Sequence, residues 1–87
     1  MKFTPVEFSC EGRYSLGIEQ DTGKRYLAIP VTNGLADYEE YYELDLDEYE
    51  RFLADGEAAT AFADECRERK NDERLIRKPG WNRGIPM

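Results

Sequence analysis

The sequence predicts an α+β fold: an antiparallel sheet of about four strands in meander order, packed against two C-terminal helices, with a candidate short fifth strand and an irregular C-terminal tail. Three observations carry this. Apolar residues alternate with polar ones as far as Leu44, and from Leu46 they recur at helical spacing. Turn residues (Gly12, Asp21 to Lys24, Asn33 and Gly34) separate the alternating runs by gaps short enough for hairpins. Strands followed by helices, rather than alternating with them, favour an antiparallel sheet covered by helices on one face. The 87 residues suit one domain, 1–87, with its core in 1–77 and a tail from 78 to 87. A chain of this length buries only roughly 60 to 65% of its unfolded surface, which favours a surface site over a deep cleft.

In the first strand Val6, Phe8 and Cys10 alternate with Glu7, Ser9 and Glu11 and are expected to face the core, with Pro5 suited to an edge. Gly12 and Arg13 turn the chain into a second strand whose inward residues are Tyr14, Leu16 and Ile18. The DTGK turn at 21–24 leads to a third strand with Leu27, Ile29 and Val31 on one face. Pro30 lacks a backbone donor and must fall where the ladder can spare one. After the Asn33-Gly34 turn, Tyr38, Glu40, Tyr42 and Leu44 alternate with Glu39, Tyr41 and Glu43 in a fourth strand.

Leu46, Tyr49, Phe52 and Leu53 are spaced for one face of a helix, and Asp45 with Glu48 forms a D-x-x-E capping box at its start. Asp55 caps a second helix in which Ala59, Phe62, Ala63 and Cys66 recur at i, i+3, i+4 and i+7. The segment ERLIR, 73–77, is the candidate short last strand. The glycines and prolines of KPGWNRGIPM predict an irregular end.

The chemistry is narrowed by composition. Histidine is absent, which removes the commonest general base and transition-metal ligand. Cys10 and Cys66 match no CxxC spacing, and both are expected to be reduced, buried core residues. No apolar run could span a membrane, and Pro5 and Glu7 lie where a secretion leader would be apolar, so the chain reads as cytoplasmic. There is no calcium loop and no phosphate-binding glycine loop, so neither a catalytic site nor a metal or other cofactor is expected.

Charge is the unusual feature. The net charge is −7, and between residues 37 and 57 ten acids face a single arginine. From 67 to 83 the balance reverses, with seven bases against three acids. Direct nucleic-acid binding is disfavoured by the overall charge. The acidic strip, in which Glu39, Tyr41 and Glu43 share an outward face and Asp37, Asp47 and Glu50 flank them, is the expected surface for a basic protein partner. In charge, size and architecture it resembles small acidic inhibitors of basic proteins, such as immunity proteins and antitoxins that block nucleases. That resemblance implies a non-enzymatic, protein-binding role. The alternative is a small ligand-binding or enzymatic domain with a pocket between sheet and helices, closed by a tail carrying Trp81, Arg77 and Arg83.

Overall fold

The computed structural model describes residues 2–34, 36–78 and 83–86. Four strands, β1 (Phe3–Ser9), β2 (Tyr14–Glu19), β3 (Arg25–Thr32) and β4 (Asp37–Leu44), form an antiparallel meander in sequence order. Helices α1 (Leu46–Ala54) and α2 (Gly56–Arg67) follow. The β3–β4 ladder is continuous from Arg25 opposite Leu44 to Thr32 opposite Asp37. Its turn uses Gly34 at φ +85°, and the β2–β3 turn uses Gly23 at φ +75°, left-handed conformations that glycine adopts without a side-chain clash.

The short fifth strand is β5 (Ile85–Pro86), inside the segment expected to be irregular, and it pairs with Val31 and Thr32 of β3. β2 pairs with β3 only from Arg25 to Ala28, so Pro30 lies where that side of the ladder passes from β2 to β5 and a missing donor costs least. The ERLIR segment is not a strand. A 3-10 turn (Asp72–Arg74) leads to an isolated bridge between Leu75 and Tyr42, and the Ile76 amide donates to the Tyr41 carbonyl at 2.9 Å. These contacts cover part of the outer edge of β4.

One apolar cluster joins Tyr14, Leu16, Leu27, Ile29, Val31, Tyr42 and Leu44 of the sheet to Tyr49, Phe52, Ala59, Phe62, Ala63 and Cys66 of the helices. Both helices therefore lie on one face of the sheet, which is the face the alternation of β2, β3 and β4 predicts. The capping box at Asp45 is complete: its carboxylate accepts from the Glu48 amide at 2.8 Å, and the Glu48 carboxylate accepts from the Asp45 amide at 3.0 Å. Asp55 closes α1 through its amide and opens α2 through its side chain, which accepts from the Glu57 and Ala58 amides. The α2 stripe is buried at all four expected positions. In α1 Tyr49 and Phe52 are buried but Leu46 and Leu53 are exposed, so the apolar face of this helix is narrower than its spacing implies.

The expectation for β1 is overturned. Val6 and Phe8 are 59% and 65% exposed and Cys10 is exposed, so none of the three faces the core. The register slips between Pro5 and Glu7, leaving Val6 as the extra residue of a β-bulge. Beyond the bulge Phe8 stands opposite Ser15, on the sheet face away from the helices, and the helices pack over β3 and β4 rather than over this edge. Cys66 is the cysteine that is buried, and burial pushes its thiol up to about 12.

Candidate functional site

Alternation in β4 divides its residues between two jobs. Glu40, Tyr42 and Leu44 are buried on the helix side, while Asp37, Glu39 and Glu43 are exposed on the other face with Tyr41 half-buried among them. Tyr41 is less free than the sequence implies. Its ring stacks on Phe3 of β1 with centroids 3.6 Å apart and planes 10° from parallel, and meets Tyr26 of β3 edge-on at 5.0 Å. Phe3 and Tyr26 are themselves edge-on at 5.4 Å. Three rings thus form a small core on the face that carries no helix among the described residues.

Gly17 makes that core possible: a Cβ there would lie 2.5 Å from the Tyr26 hydroxyl. Burial, reinforced by the neighbouring Glu39 carboxylate, pushes the Tyr41 phenol up to about 12, and the hydroxyl donates to Glu39 at 3.2 Å. The next row across this face is Phe8, Ser15, Ala28 and Tyr41, so the exposed Phe8 ring belongs to the same surface.

At the end of the face where Phe3 pairs with Glu19, a buried carboxylate organises two chain segments. Glu19 accepts from the Thr22 hydroxyl at 2.6 Å and from the Asp21, Thr22 and Lys2 amides at 2.9 to 3.1 Å. The Thr22 hydroxyl, followed by those amides, lowers its pKa to about 2. Glu19 thus ties the β2–β3 turn and the start of β1 together.

Two acids of the strip, Glu40 and Glu48, are answered from within by the basic C-terminal segment. Arg83 forks onto two carboxylates, with Nε 2.7 Å from Glu40 and Nη1 2.7 Å from Asp72. The Glu40 side chain is only 5% exposed and also accepts from the Tyr42 hydroxyl at 3.1 Å. Arg74 pairs with Glu48 at 2.8 Å and donates to the Glu43 carbonyl, and Lys24 lies 3.7 Å from the Glu43 carboxylate. Arg83 holds Asp72 below the usual carboxylate range, and Arg74 does the same for Glu48. The polarity evident in the sequence is in part an intramolecular clamp.

Of the expected partner surface, Asp37, Glu39, Tyr41 and Glu43 share one sheet face. Asp47 and Glu50 are exposed on α1, which lies on the opposite face, so they do not join it. Of the alternative set, Arg83 is engaged by Glu40 and Asp72, Arg77 is exposed, and Trp81 lies outside the described residues. Phe3, Tyr26, Phe8 and Glu19 belong to the open face but were not singled out from sequence. The bulge at Val6 carries Phe8 onto the face where alternation already places Phe3, and the Thr22 hydroxyl three residues after Glu19 was a legible turn signal.

Among the described residues, two surface grooves lie on the helix side of the sheet instead. One of about 730 Å³ runs between the β1–β2 turn and the start of α2, lined by Glu11, Tyr14, Asp55, Thr60 and Asp64. A smaller one of about 340 Å³ lies over the helix pair, beside Glu48, Phe62 and Arg74. Between sheet and helices, Leu16, Leu27, Tyr42 and Ala63 are fully buried and fill the interior. Among the described residues no three Cys, Asp or Glu side chains converge as metal ligands, and no helix is long and apolar enough to cross a membrane. No protein-family model matches the chain, and neither a curated protein nor a solved structure matches it significantly.

Proposed function

We propose that the protein is an acidic protein-binding module that engages a basic partner through the sheet face opposite its helices, in the manner of the small inhibitors that block basic nucleases. The observation that carries this reading is the pairing of apolar and anionic groups on one sheet face that carries no helix among the described residues. Phe8 is 65% exposed in the same row as the Tyr41 ring, and Asp37, Glu39 and Glu43 border it. Among the described residues no ion pair engages Asp37 or Glu39. An exposed aromatic supplies contact area at low entropic cost, and flanking acids steer a cationic partner and reject an anionic one. The arginine-answered acids Glu40 and Glu48 are excluded from this role, since their charge is already compensated.

Alanine at Tyr41 would disturb the ring cluster as well as any interface, so the test keeps that ring. Wild type and a Glu39→Gln/Glu43→Gln variant serve as paired baits in extracts of the native host, and a protein retained by the first alone is purified for binding kinetics at two salt concentrations. The double variant should associate more slowly and with a flatter salt dependence, and adding Phe8→Ala should mainly speed dissociation. Unchanged retention and an unchanged salt slope in a folded variant would remove this face as the binding surface.

A further inference from the structure

The edge of β3 opposite β4 is shared between two strands, β2 and β5, and the second one is held in an unusual way. β5 contributes only two paired residues, and Ile85 is 69% exposed, so apolar burial does little to keep it there. Its seat is polar. Arg83 Nε and Nη2 lie 2.7 and 3.0 Å from the two oxygens of Glu40, and Nη1 and Nη2 lie 2.7 and 3.0 Å from the two oxygens of Asp72. The Gly84 amide donates to the Tyr38 hydroxyl, and its carbonyl accepts from Arg69 at 3.1 Å. A Cβ on Gly84 would meet the Thr32 carbonyl oxygen at 2.8 Å and the Tyr38 hydroxyl at 2.9 Å, so the seat admits glycine and resists a side chain.

The double fork onto Glu40 and Asp72 matches the planar donors of arginine rather than the point charge of lysine. Tyr38 and Glu40 come from β4, Asp72 from the turn before Leu75 and the backbone edge from β3, so none of the receiving groups belongs to the tail itself. We propose that this edge of β3, with Tyr38 and the Glu40–Asp72 pair, is a docking site for an extended arginine-glycine segment, filled in cis by residues 83–86 and taken in trans by a basic partner that presents the same pair as an added strand. Strand addition at an exposed ladder position draws affinity from main-chain hydrogen bonds and specificity from side-chain seats, and here the seats read arginine and then glycine. Each contact the tail makes is one that another chain can reproduce. A short tether gives the tail an effective concentration of about millimolar, so a competing segment must approach that level or bring further contacts. The site is separate from Asp37, Glu39 and Glu43, and its test is independent of theirs.

The test uses the full chain, isotopically labelled, as wild type and as Arg83→Ala, titrated with the blocked pentapeptide Asn-Arg-Gly-Ile-Pro. In Arg83→Ala the peptide should shift the amides of Val31, Thr32, Tyr38 and Glu40 saturably, and wild type should need at least about tenfold more peptide because its own tail competes. Peptides with lysine for arginine, or alanine for glycine, should leave those amides unmoved. Equal binding by the lysine peptide, or no saturable shift up to about 10 mM in a folded variant, overturns the proposal, since that concentration exceeds the tether's own. If Arg83→Ala does not fold, methylguanidinium at the same concentration should restore the native spectrum and methylammonium should not. Rescue by neither, or by both alike, overturns it as well.

Discussion

On the helix-covered face, Leu16, Leu27, Ile29 and Val31 are fully buried beneath Phe52, Phe62 and Ala63. On the opposite face Tyr26 and Ala28 are buried just as completely, although both helices lie on the other side. The first face is closed by a second layer of secondary structure. Over Tyr26, whose hydroxyl lies against Gly17, the second is closed by the stacked rings of Phe3 and Tyr41 from the two outer strands, with a hydrogen-bonded carboxylate, Glu19, beside them. The comparison teaches that burial in a domain this small need not mean helix contact. A stabilising cluster and a candidate interface can also share one surface, with Tyr41 in the first and Phe8 and Glu39 in the second.

The sharpest way to break this comparison is on the covered face. Phe62→Ala should cost about 3 to 5 kcal/mol in urea or thermal melts, because the ring fills space between Phe52 and the Arg74 guanidinium that neighbours cannot close. A loss under about 1 kcal/mol would mean that the second layer contributes little.

The next test turns on pH, to which an apolar layer is indifferent. Glu19 has a folded pKa of about 2 against an ordinary 4.5, so its contribution is complete above about pH 4.5 and is lost as pH falls toward 2. Glu19→Gln should therefore be less stable than wild type at pH 7 and should lose less on acidification to pH 3. An equal loss in both proteins would show that the turn is held by its backbone alone.

The smallest effects separate the two phenylalanines of β1. Phe3→Ala should cost about 1 to 3 kcal/mol and couple to Tyr41→Ala by about 0.5 to 1.5 kcal/mol in a double-mutant cycle, while Phe8→Ala should stay within about 0.5 kcal/mol. Equal losses at Phe3 and Phe8 would place both rings in one stabilising cluster and leave no exposed aromatic for a partner.

Element type, order and most phases were legible in the residues themselves. Period two in β2, β3 and β4, helical spacing around Phe62 and the capping carboxylates of Asp45 and Asp55 are local properties, set by side-chain direction and by amides that lack partners within one turn. The anionic surface was legible for the same reason, since exposed charge needs no distant partner to be recognised. Three things were decided only when distant segments met. The bulge at Val6 moved Phe8 to the other face, because a one-residue slip inverts every later side chain of a strand. Tyr41 became half-buried because Phe3, from the strand at the other end of the meander, stacks on it. Glu40, one carboxylate among ten in the strip, became a buried partner of Arg83, 43 residues away, because alternation turns it inward, where the Arg83 guanidinium compensates its charge.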